Sequence, residues 1–354
     1  MTYKKEATTE NKAPIISVRL AHCKPTIVYE TYWRFAAERQ AIFFRRIEGG
    51  DFPWTEDPIL KRYKFTNAYR ASDRVSQYLI RNVIYKGDPS TREVFFRIIL
   101  FKLFNRIDTW KLLVEKLDTV TFESYSFQSY DKILTEALES GRIFSGAYIM
   151  PSGAHSLGYR RKHRNILKLI ERIMKDDVHL RITDMSSMQE VFEILRSYPM
   201  IGDFLAYQLA TDINYSKITN FSEMDFAVPG PGARDGIRKC FLSLGDLNEV
   251  EIIKLMADKQ EEEFENFSLE FKSLWGRRLQ LIDCQNLFCE VDKYARLAHP
   301  EIRGRSKRVR LKRLYKMNSD PIRYLYPPKW GINESVLASM ARKRSGLPLQ
   351  DWAY

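Results

Sequence analysis

Residues 91–104 read Thr-Arg-Glu-Val-Phe-Phe-Arg-Ile-Ile-Leu-Phe-Lys-Leu-Phe, and in a helix they put apolar groups on nearly every side. A helix of that kind has no solvent face, so it belongs at the centre of a larger body. Gly87-Asp-Pro-Ser90 breaks the chain before it, with Ser90 as the expected N-cap. Around it, apolar residues recur with helical spacing from Tyr29 to Ile47, stopped by Gly49-Gly50, and from about Asn67 to Tyr85. Further helices are expected at 108–118, 129–140, 160–175, 186–197, 202–213, 233–243, 247–258, 260–273, 278–297 and 333–343. Residues 51–63, with Pro53, Trp54 and Pro58, read as a loop. The best strand candidate is 146–150, and no internal repeat stands out. The expected fold is therefore mainly α, with two helical lobes around a cleft. Three parts are expected: a leader at 1–28, a helical domain at 29–297 and a basic extension at 298–354.

With 354 residues, 44% hydrophobic and 29% charged, the chain has the make-up of an ordinary globular protein rather than a disordered one. Its formal charge of +12 favours polyanions. The surplus is unevenly placed: 302–316 holds eight Lys and Arg, Arg308 and Arg310 among them, and no acid. Aromatic residues reach 13%, enough to fill a core and to offer stacking platforms for bases. Cys23, Cys240, Cys284 and Cys289 match neither a zinc ribbon nor a four-cysteine iron–sulfur loop, and they read as reduced cytosolic thiols. The five histidines show no metal-ligand spacing, so no metal site is expected. Met1–Ala13 lacks the apolar core of an export signal, and no apolar run is long enough to span a membrane. A cytoplasmic setting follows, the host cytoplasm if the chain is phage-encoded. Phosphate-loop (Gly-x-x-x-x-Gly-Lys-Ser/Thr), Gly-x-Ser-x-Gly and His-Glu-x-x-His motifs are all missing from the 354 residues.

Two polar constellations stand out. In the first, Tyr198-Pro-Met-Ile-Gly202 turns into an apolar helix, and Asp225 follows Gly202 by 23 positions. Backbone N–H groups at such a turn can hold a phosphate oxygen, often with a bound cation. A carboxylate at 225 can stabilise positive charge or accept a proton. Pro229-Gly-Pro-Gly232 then allows close backbone approach at Gly230 and Gly232. Arg234 and Arg238 lie four apart on the following helix. The plainer readings stay open: a hairpin packing two core helices, and a capping or salt-bridged aspartate. The order resembles the helix-hairpin-helix and aspartate of base-excision DNA glycosylases.

The second constellation is Phe65-Thr-Asn-Ala-Tyr-Arg-Ala-Ser-Asp-Arg74, with Asn67, Arg70 and Arg74 near one helical face, followed by Asn105 and Arg106 after the apolar run. It reads as a clamp for phosphoryl oxygens or as a buried structural network.

Taken in order, Tyr32-Trp-Arg-Phe-Ala-Ala-Glu-Arg-Gln, Trp54-Thr-Glu-Asp-Pro, the Phe65–Arg74 block, Phe104-Asn-Arg and Gln285-Asn-Leu-Phe-Cys-Glu-Val-Asp-Lys-Tyr resemble one family. It is that of the alpha-glutamyl/putrescinyl thymine pyrophosphorylases, which share a helical domain with the 5-hydroxymethyl-deoxyuridine DNA kinases. The resemblance covers roughly 29–297. It implies a glycosylase-like helical fold acting on double-stranded DNA with modified thymine. The implied reaction is transfer: an amine or amino acid displaces pyrophosphate from an activated 5-hydroxymethyluracil. Asn67, Arg70, Arg74, Asn105 and Arg106 would cradle the pyrophosphate, and Asp225 would handle the amine's proton. Gly202, Gly230, Gly232, Arg234, Arg238, Arg308 and Arg310 would hold DNA. No cofactor is firmly expected beyond a cation at the hairpin or with the pyrophosphate. Excision of a modified base, or service as the helical partner of a separate DNA kinase, are the alternatives.

Overall fold

The computed structural model describes residues 22–146, 157–318 and 321–341. Residues 1–21 of the expected leader and, apart from Gly146, the strand at 146–150 lie outside the described residues. Among the described residues the chain is mainly helical, with one small antiparallel sheet in which Lys24–Pro25 pairs with Phe241–Ser243. None of these helices is long and apolar enough to cross a membrane.

Thr91–Phe104 is buried along almost its whole length. Ser90 is its N-cap, but without a side-chain cap bond. Lys162–Lys175, Val178–Thr183 and Asp203–Asn214 pack on it. A second packing centre is Leu281–Ala298, against which Ile27–Ile47, Pro231–Cys240 and Glu249–Asp258 pack. Gly236 sets the closest of these approaches: a Cβ there would lie 2.0 Å from the carbonyl oxygen of Phe288. Only glycine lets the two backbones come that near.

Four local expectations need correction. The helix expected at 233–243 ends at Cys240, and Phe241–Ser243 is a strand instead. The span from Asn67 to Tyr85 is not one helix but a 3-10 turn at Arg70–Ser72, an α-helix at Arg74–Leu79 and a π-turn at Ile80–Ile84. Asp73 is the cause: its backbone is extended, and its carboxylate accepts the Asn67 N–H at 2.8 Å. Such a side-chain bond competes with the helix. Residues 51–63 are not wholly a loop, because Asp57 caps a short helix at Pro58–Arg62. The helix expected at 260–273 stops at Asn266, and Ser268 next to it has a positive φ of 51°.

The basic extension folds back onto the body. Lys64 N–H donates to the Arg313 carbonyl at 3.1 Å, and Tyr315 N–H to the Arg62 carbonyl at 2.9 Å. Tyr324, Tyr326, Ile332 and Val336 are buried. The Tyr326 hydroxyl meets Ser72 Oγ at 2.8 Å, deep in the helical body.

Candidate active site

Asp283, Asn286 and Glu290 recur at helical spacing on Leu281–Ala298 and so share a face. All three reach the Phe65–Arg74 segment. Asp283 accepts the Arg70 N–H at 2.8 Å, Asn286 donates to Thr66 Oγ1 at 3.1 Å, and Glu290 accepts the Thr66 N–H at 3.2 Å. The segment is thereby fixed beside the loop at Gly230–Gly232. Together they line a cavity of about 360 Å³ with Phe101, Lys102, Asn105, Phe204, Gln208 and Asp212. Both packing centres contribute to it.

The cavity floor is a buried ion triad. Asp212, fully buried, meets Arg70 at 2.7 Å and Lys102 at 2.8 Å. Arg70 also donates to Gln208 at 3.0 Å and to the Tyr215 hydroxyl at 3.1 Å. Burial would push the Asp212 carboxyl up, but the two cations outweigh it and hold it below the usual range. Other lining residues are ion-paired too: Lys293 with Glu290, and Arg296 with Asp292, which Lys239 also meets from behind the lining.

Asp73 lines the cavity too, with no direct ion pair among the described residues. Its burial raises the carboxyl to about 7, against the opposing bond from the Asn67 N–H. Asp283 is likewise raised by burial to about 7, but it is spent on backbone N–H groups of Arg70 and Gln280. A carboxyl near 7 can exchange a proton at neutral pH, which suits general acid–base work.

Of the residues singled out in the sequence, the cavity brings together Arg70, Arg74, Asn105, Gly230, Gly232 and Arg308. Arg106 lies in an adjoining groove and pairs with Asp108 at 2.6 Å. Asn67 instead clamps its own loop, accepting from Arg39 at 3.0 Å and donating to the Ser72 carbonyl at 2.8 Å. Arg234 and Arg238 both reach Glu249, at 3.0 and 3.3 Å, and tie two helices together. Arg310 is exposed, outside the cavity lining.

Gly202 and Asp225 also stand outside the lining. Met188–Arg196 and Asp203–Asn214 do form a helical hairpin, with Gly202 as N-cap, but the left-handed residue of the turn is Met200, φ 69°. Asp225 is exposed on a turn. The close approaches at Gly230 and Gly232 are to protein: a Cβ would come within 2.9 Å of Phe204 and 3.1 Å of Cys289.

Sequence reasoning missed Asp212 and Lys102. The available signal was Lys102 itself, a charge inside an all-apolar helix, which demands a buried partner.

Residues 26–304 match the family described as "5-hmdU DNA kinase, helical domain". Over 321 residues the chain is 28% identical to the 5-hmdU DNA kinase of Bacillus phage SP10, a match covering 85% of this chain and 50% of that protein. The chain thus spans about half the length of the curated relative it matches. No solved structure matches it. With most of its length inside the family's span, the chain belongs to the family of 5-hmdU DNA kinase helical domains.

Proposed function

We propose that this chain works in thymine hypermodification of phage DNA, displacing pyrophosphate from an activated 5-hydroxymethyluracil with an amine or amino acid. The observation that carries the reading is the cavity's lining. Lys64, Arg70, Arg74, Lys102, Lys293, Arg296, Arg308 and Arg313 converge there against the acids Asp73, Asp212, Glu290 and Asp292, beside the apolar rings of Phe65, Phe101 and Phe204. Rings suit a base taken out of the stack, and cations suit the phosphoryl oxygens on its 5-methylene. In this reading the hairpin and the two packing centres serve as a glycosylase-like scaffold of two lobes.

The reaction breaks the bond between the methylene carbon and the pyrophosphate oxygen and forms a carbon–nitrogen bond. Arg74, Arg308 and Arg313 at the cavity rim stabilise the departing charge. The incoming amine must shed a proton. Asp73, raised to about 7, is the carboxyl we assign to receive it. Asp225, on its exposed turn, is the rival carboxylate.

A second reading is favoured by the identity to a protein named a DNA kinase. Here these residues hold the modified base for a phosphate donor bound elsewhere, since the 354 residues contain no phosphate loop.

The test is to incubate the protein with duplex DNA carrying pyrophosphorylated hydroxymethyluracil and a pool of amines, then weigh the digested nucleosides. Amino-substituted thymidine is the expected product, lost in Asp73→Asn and kept in Asp225→Asn. Abasic sites would mean excision, and unchanged nucleosides would leave the base-holding role.

A further inference from the structure

We propose that a basic groove opening beside the cavity is the track for the DNA strand's phosphodiester backbone; this rests on the reading of the cavity as a nucleotide site. The groove measures about 840 Å³ and is walled by Lys64, Arg74, Arg81, Arg106, Lys111 and Arg323. Among the described residues its one acid is Asp108, paired with Arg106 at 2.6 Å. Lys64, Arg74 and Asn105 line both groove and cavity, so the two spaces adjoin.

Four separate segments build the cationic walls, and Lys64 comes from the chain just after the helix Pro58–Arg62. Arg74, Tyr78 and Arg81 follow one another along Arg74–Leu79 and the π-turn Ile80–Ile84. A π-turn widens the helix, and such turns recur at functional sites. Arg106 is the N-cap of Ile107–Leu117, whose first turns supply Asp108 and Lys111. Arg323 comes from the extension. Arg106 Nε is buried and lacks a hydrogen-bond partner among the described residues. The rest of the Arg106 side chain is partly exposed, so its outer guanidinium N–H groups are the ones a phosphate in the groove can meet.

The spread of charge argues for a chain of phosphates rather than one anion. A single pyrophosphate would meet two or three cations, whereas six line this groove, and two of them, Lys64 and Arg74, also line the cavity. A strand laid there would place one nucleotide at the cavity while its neighbours' phosphates stay in the groove.

The full-length protein tests this with a labelled duplex containing 5-hydroxymethyluracil, its affinity measured by fluorescence anisotropy across a salt series. Removing two phosphate contacts in Arg81→Ala/Lys111→Ala should flatten the slope of log affinity against log salt by about 1.8 and weaken binding roughly tenfold or more at low salt. Arg81→Lys in the Lys111 background should keep nearly the full slope, since the charge is retained, and thermal midpoints should match throughout. Competition by inorganic pyrophosphate should be unchanged in the double variant. If the double variant binds with the wild-type slope, the groove is not the track. A double variant that loses pyrophosphate competition in step with DNA would mean that the groove holds the free anion, which also overturns the proposal. A wild type with no salt-dependent DNA binding would sink the nucleotide-site reading as well.

Discussion

The Asp203–Asn214 helix and the turn that follows it treat their carboxylates in opposite ways. Asp212 lies wholly inside the protein, held by Arg70 and Lys102. Asp225 stands in solvent, outside the cavity. The exposed acid keeps its hydration and costs nothing to maintain. The buried one is tolerated only because two cations meet it, and together the three fix the floor of the cavity. What makes a carboxylate useful here is the company it keeps in space, not its distance from a turn along the chain.

The contrast breaks most sharply under truncation. Asp212→Ala leaves Arg70 and Lys102 buried without their acid and should cost about 3–5 kcal/mol of stability in denaturant unfolding. Asp225→Ala should stay within about 0.5 kcal/mol. Equal losses would erase the distinction.

Glycines sharpen the comparison on a smaller scale. Gly236→Ala must push its new methyl into the Phe288 carbonyl, and about 1–3 kcal/mol should be lost as the helices separate. At Gly202 nothing lies within 4 Å, and its φ of −87° is ordinary. Gly202→Ser should therefore be near neutral, within about 0.5 kcal/mol, because serine also caps helices well.

A third contrast separates Asp73 from Asp212 by pH. Asp73 is raised to about 7 in the folded chain, against about 4 when unfolded. The folded state therefore binds the proton over that window. The contribution is present at low pH and lost as pH rises through 7. Asp212 is lowered, so its contribution is present above about 4 and lost in acid. Asp73→Asn should accordingly gain in thermal midpoint relative to wild type between pH 5 and pH 8. A constant difference would place the Asp73 carboxyl at an ordinary value.

Much of the helical framework is legible in the sequence because it depends on local pattern. The 91–104 run needs no knowledge of its neighbours, since a helix with no polar side can only be buried. The site is less legible because its parts come from far apart. Arg70 and Asp212 are separated by 142 positions, and nothing near either names the other. Asn67 and Arg74 sit in one short block, yet the break at Asp73 sends one into a loop clamp and the other to the cavity. Arg234 and Arg238 show the same limit: helical spacing puts them on one face, but only the fold shows that the face meets Glu249.

The most direct measurement is to irradiate the protein with duplex DNA carrying 5-iodouracil, whose reactive carbon sits where the modified thymine's methylene would be, and to sequence the crosslinked peptide. The expected attachment is within the cavity, at Phe204, Phe65 or Cys289. Attachment to the 221–226 turn around Asp225 would contradict the placement of the base.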